Sequence, residues 1–117
     1  MYKRQEAGKT KVTIGSGHPL AVICGPCVID SREMIMTTAR RLADISQKLA
    51  LPIIFKSSYE KDNRGSEKNW SGPLADEGLK ILQEVRQEFS LPILSDIHRP
   101  EDIEKAGDIL DLSLIHI

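Results

Sequence analysis

The chain has 117 residues, 40% of them hydrophobic, and 16 basic against 17 acidic side chains give a formal net charge of -1; that size allows one globular domain with a modest core. Near-neutral charge gives no basis for nucleic acid or an anionic membrane as the main partner, and no apolar run approaches the roughly 20 residues that span a bilayer. Residues 1–11 are polar and basic without the apolar centre of a signal peptide, so a cytoplasmic location is expected, and Cys24 and Cys27 without an export signal point away from a disulfide framework.

The first apolar run, Leu20 to Cys24, closes on Gly25-Pro26 and reads as a buried strand ending in a turn. Asp30 with Glu33 three positions on resembles a capping box, and Ile35, Ala39, Leu42, Ile45 and Leu49 then recur on one helical face. Pro52 stops that helix and opens a strand over Ile53, Ile54 and Phe55. After a polar loop to Gly72-Pro73, a second helix carries Leu74, Leu79, Leu82, Val85 and Phe89 on a common stripe, with Glu84, Arg86, Gln87 and Glu88 mostly facing away. Leu91-Pro92 repeats the earlier punctuation, Ile93-Leu94 is a third strand, Pro100 opens a third helix, and Gly107 is expected to end it before Ile109 and Leu110. Alternation of strand and helix implies a parallel sheet covered by helices.

The polar residues fall just past the strands: Gly25-Pro26-Cys27, Lys56-Ser57-Ser58 and Ser95-Asp96-Ile97-His98. Parallel α/β folds place chemistry on that edge, whether the sheet is open or closed. Lys56, Lys61 and Arg64 along one strand exit suit an anion pocket, Arg as a planar fork and Lys as a point charge; a solvated loop is the plainer reading, since Glu60 and Asp62 lie among the cations. Cys24-Gly25-Pro26-Cys27 between a strand and a helix also fits a thioredoxin-like redox motif, in which a helix N-terminus would stabilise a thiolate. Cys27 alone is alternatively a soft ligand for a divalent metal, or inert. Asp96 and His98, two apart, share a side if the extended geometry persists. They would orient a water or a ligand hydroxyl, or else serve as a helix cap and a surface histidine. Trp70 reads as a loop anchor or a pocket wall.

Taken together, Gly25-Pro26-Cys27 with Ile29-Asp30-Ser31, Phe55-Lys56-Ser57-Ser58-Tyr59 with Lys61-Asp62-Asn63-Arg64, Gly72-Pro73 with Glu77-Gly78-Leu79, and Ser95-Asp96-Ile97-His98 resemble the 3-deoxy-D-manno-octulosonate 8-phosphate synthases. That family shares a superfamily with the 3-deoxy-heptulosonate (DAHP) synthases, which typically carry Lys-Pro-Arg where this chain has Lys61-Asp62-Asn63-Arg64. The resemblance covers about residues 20–111. It implies the first strands and helices of a (β/α)8 barrel, an α/β fold that needs roughly 250 residues to close. It also implies condensation of phosphoenolpyruvate with D-arabinose 5-phosphate and water for lipopolysaccharide synthesis, in a homotetramer. By similarity, Lys56, Ser57, Lys61, Asn63, Arg64 and Ser66 would bind the substrates, and Lys61, Asp96 and His98 would serve catalysis. Cys27 would be one ligand of a divalent metal, the other ligands lying beyond this stretch. A DAHP-type enzyme using erythrose 4-phosphate is the nearer alternative, a thioredoxin-like protein the more distant one.

Three departures accompany the resemblance. Ser71-Gly72-Pro73-Leu74 replaces the usual Arg-Gly-Pro-Gly, and Gly65 replaces a serine, which bears on the affinity for the sugar and its choice. After Asp111 the family continues with an Ile-Gln-(Ile or Leu)-Pro-Ala-Phe pattern, whereas this chain has Leu112-Ser113-Leu114-Ile115-His116-Ile117. Residues 1–111 are therefore expected to be the opening part of one barrel domain, inactive by itself, and residues 112–117 a non-native tail resembling a translated sequencing adapter, with no role for His116.

Overall fold

The computed structural model describes residues 3–7, 10–59 and 75–114. Its elements run β1 (Lys3–Ala7), β2 (Thr10–Ile14), β3 (Val22–Cys24), α1 (Arg32–Leu49), β4 (Ile53–Lys56), α2 (Ala75–Phe89), β5 (Ile93–Asp96), α3 (Asp102–Ile109) and β6 (Leu112–Leu114). β1 and β2 form an antiparallel pair. β3, β4, β5 and β6 are neighbours in chain order and parallel throughout.

That order distinguishes a barrel from an open doubly wound sheet, which reverses its strand order and puts helices on both faces. Here one buried cluster joins Ile53 and Phe55 of β4 and Ile93 of β5 to Ile35 and Ala39 of α1, Leu79, Leu82 and Val85 of α2, and Ala106 of α3, so every helix covers the same face. Alternate strand residues Ile54, Leu94 and Leu112 point the other way and gather around Val12 of β2. The chain therefore forms consecutive β/α units of a (β/α)8 barrel, with its inner face partly covered by the β1–β2 hairpin. Sequence reading did not anticipate that hairpin, although Thr10-Lys11-Val12-Thr13-Ile14 carries β-branched residues in alternation with the buried Val12.

Local chemistry explains where the elements begin and end, and it corrects several expected boundaries. Ser31, extended at φ -150, caps α1 by accepting the Met34 N–H at 3.2 Å; the cap thus lies one residue past Asp30, and Glu33 merely favours the positive end of the helix dipole. Leu20 is 75% exposed and precedes β3, while along α1 Ile45 is 38% and Leu49, in the last turn, 68% exposed. Gly107 does not stop α3: it lies inside the helix, which ends at Leu110 once the chain turns extended, so the next strand begins at Leu112 rather than Ile109. Pro100 stands two residues before α3, its carbonyl accepting the Ile103 N–H. Leu112–Leu114 pair with β5 as β6, and the pairing bears on the fold, not on the origin of those residues.

α1 closes with Ala50 in the left-handed region at φ 49, its N–H on the Gln47 carbonyl and the Leu51 N–H on that of Ser46. A side chain pays roughly 1–2 kcal/mol for that conformation, which glycine avoids. Ala50→Gly is therefore expected to stabilise the chain by about 1 kcal/mol in urea unfolding. An unchanged or lowered midpoint would show that the corner is not strained.

Candidate active site

Gly25 decides how β3 leaves the sheet. A Cβ built there would stand 2.0 Å from the Lys56 carbonyl oxygen, so only glycine lets the two main chains approach this closely. The following residues stay alongside the β4 exit: the Ser58 N–H donates to the Cys27 carbonyl at 3.2 Å and the Ile29 N–H to the Ser58 carbonyl at 3.0 Å. The Gly-Pro-Cys segment and the Lys-Ser-Ser segment therefore share one rim.

Lys56, the last residue of β4, belongs by strand alternation to the inner face with Ile54. Its Nζ donates to Ser58 Oγ at 3.3 Å. Asp96 ends β5 on the same face, and its Oδ2 lies 2.9 Å from His98 Nε2. Burial alone would raise the Asp96 pKa. The Ser58 hydroxyl, the backbone amide of Asp96, the His98 imidazole and the Lys56 ammonium together outweigh burial, and the carboxyl sits below its ordinary value. Asp96 Oδ1 is buried and has no hydrogen-bond partner among the described residues. An ionised carboxylate with an unused oxygen, beside a cation and an imidazole, can accept a hydroxyl or a water from a bound substrate.

The structure thus brings together Lys56, Asp96 and His98 as the sequence suggests, and Asp96 and His98 do share a side. Ser57 is fully buried and its hydroxyl makes no hydrogen bond among the described residues; Ser58 is the serine that meets the ammonium. Lys61, Asn63, Arg64 and Ser66, with Gly65, Trp70 and Ser71, lie outside the described residues, as does His116.

Two further residues of the rim were not singled out from the sequence as site residues. Tyr59 is fully buried and donates its hydroxyl to Asp102 Oδ2 at 2.9 Å, while the His98 N–H donates to that same hydroxyl at 3.0 Å. Asp102, on the first turn of α3, also receives Arg99 Nε at 3.3 Å. A tyrosine directly after two serines at a strand exit is the one local signal for Tyr59; Asp102 reads in sequence as an ordinary acidic first-turn residue.

The cysteines do not form the redox arrangement. Cys24 packs against the helix-side core and burial raises its thiol pKa, while α1 begins at Arg32, well past Cys27, so neither sulfur stands at the helix N-terminus. Cys27 is exposed on the rim. One thiolate does not hold a divalent ion, and among the described residues no three His, Cys, Asp or Glu side chains gather into a metal site. No helix of the described residues is long and apolar enough to cross a membrane.

Comparison with known proteins agrees with this geometry. Residues 3–116 match the family described as DAHP synthetase I family. A protein of Bordetella petrii named 2-dehydro-3-deoxyphosphooctonate aldolase is 46% identical over 99 residues, which cover 85% of this chain and 35% of that protein. A protein of the same name from Geotalea uraniireducens is 43% identical over 112 residues, 96% of this chain and 40% of its own length. Another from Acidithiobacillus ferrooxidans is 42% identical over 98 residues, 84% of this chain and 35% of its own. The chain therefore spans well under half the length of these relatives.

Proposed function

The chain belongs to the DAHP synthetase I family, and we propose on that premise that the whole protein condenses phosphoenolpyruvate with D-arabinose 5-phosphate and water, giving 3-deoxy-D-manno-octulosonate 8-phosphate and inorganic phosphate. The observation that carries the reading is the Lys56, Ser58, Asp96 and His98 cluster at one rim of a parallel sheet, in a chain whose relatives share the aldolase name. In this reaction the methylene carbon of the enol phosphate bonds to the aldehyde carbon while water adds to the carbon bearing the phosphate. The C–O bond of that phosphate then breaks, releasing phosphate. Such a site needs fixed cations for phosphate and carboxylate oxygens, and groups that hold the water and the aldehyde in line.

Lys56 supplies a cation fixed at a strand end, facing phosphoenolpyruvate. Asp96 and His98 line the same pocket, the carboxylate accepting a proton or hydrogen bond from the water or a sugar hydroxyl. Lys61 joins Lys56 on phosphoenolpyruvate, and Asn63, Arg64 and Ser66 hold the sugar phosphate and its hydroxyls. Cys27 provides one thiolate to a divalent metal whose other ligands lie beyond the described residues. A cytoplasmic homotetramer that feeds lipopolysaccharide synthesis belongs to the same reading.

The test offers the full-length protein encoded at the source locus phosphoenolpyruvate with either arabinose 5-phosphate or erythrose 4-phosphate and measures phosphate release and the keto-acid product. Turnover of the arabinose substrate, with an eight-carbon product, is expected. Turnover of erythrose 4-phosphate alone would make it a DAHP-type enzyme, and no phosphate release with either sugar would overturn both.

A further inference from the structure

Tyr59 stands at the junction of three elements. It follows the β4 exit, its hydroxyl reaches Asp102 on the first turn of α3, and the same oxygen accepts the N–H of His98 just past β5. The ring also meets the imidazole of His98 edge-on, with centroids 5.2 Å apart and planes at 84°. α2 closes over it so tightly that a Cβ at Gly78 would lie 2.9 Å from the Tyr59 Cβ. A phenylalanine would fill this space equally well. A fully buried hydroxyl costs free energy unless it is paired, and this one is paired twice, once with the N–H of His98 in the site.

We propose that Tyr59 is a positioning residue: bridging the Asp102 carboxylate and the His98 amide, its hydroxyl fixes the backbone on which the imidazole faces Asp96. This rests on the reading of that rim as the active site. Asp102 is the anchor, since its carboxylate is buried and is itself held by Arg99. The device couples the exits of β4 and β5, so the ammonium of Lys56 and the Asp96–His98 pair keep one spacing.

The experiment compares Tyr59→Phe with the unchanged full-length protein, and Asp102→Asn with Asp102→Ala. Tyr59→Phe is expected to lower kcat about tenfold, with KM for phosphoenolpyruvate within about twofold, because the binding cations remain in place while the pair loses its register. Asp102→Asn keeps an acceptor for the hydroxyl and is expected to retain most of the kcat that Asp102→Ala loses. An unchanged kcat in Tyr59→Phe, or a loss confined to KM and thermal stability, would overturn the proposal. If the unchanged protein turns over neither sugar, the functional reading has failed separately. The device is then decided by imidazole nitrogen NMR of the ligand-free protein, where altered His98 signals in Tyr59→Phe support it and unchanged signals refute it.

Discussion

Gly25→Ala is expected to cost the 117-residue chain more than about 3 kcal/mol, enough to unfold a marginal domain. The added methyl meets the Lys56 carbonyl oxygen at 2.0 Å and its carbonyl carbon at 2.9 Å, main-chain atoms without a rotamer to escape into. Nor can β4 move aside, because the Phe55 and Ser57 N–H groups are tied to the Pro92 and Leu94 carbonyls of the next strand. Relief would come only from pulling β3 away, which breaks the Cys27, Val28 and Ile29 contacts with Ser58. Circular dichroism and urea titration are the measurement. A variant with a near-normal midpoint would mean that β3 does not approach β4 as described, and the shared rim would lose its foundation.

Lys56→Met carries the largest expected effect on function. In the full-length protein it is expected to lower kcat/KM for phosphoenolpyruvate by about 10²–10³, the usual consequence of removing one preorganised group that stabilises developing negative charge. Methionine keeps an unbranched apolar stem of similar reach, so unfolding stability should stay within about 1 kcal/mol. The loss would therefore be chemical, not structural. Lys56→Arg should not restore activity, because a planar fork cannot occupy the place of a compact ammonium seated on the Ser58 hydroxyl. Activity within tenfold of normal in Lys56→Met, with the fold intact, would remove Lys56 from the anion site.

How far the sequence disclosed this arrangement depended on how local each signal was. The repeated Leu-Pro-Ile punctuation placed β4 and β5 because proline and apolar runs act within a few residues. The residues past the strand ends were readable for the same reason, since parallel strands fix which edge they reach. Asp96 and His98 were legible as a pair because a separation of two in extended chain sets a common side. Legibility failed where the cause lay far along the chain. The role of Tyr59 depends on Asp102 in another helix, the closeness at Gly25 on a carbonyl of another strand, and that at Gly78 on a tyrosine before the loop. The burial of Val12 likewise depends on Ile54 and Leu94 in two other strands. The capping serine was missed for a subtler reason: Asp30 and Ser31 both carry capping side chains, and only the backbone shows which of them turns the helix.

The corner after α1 has a twin. Ser90, like Ala50, holds a positive φ, and each stands before Leu, Pro and a buried strand. Both corners lie at the end of the sheet opposite Lys56 and Asp96. The two corners are therefore places where a substitution can alter how long the folded chain survives without touching the rim of Lys56 and Asp96. A lineage could refine durability there while leaving that rim as it is.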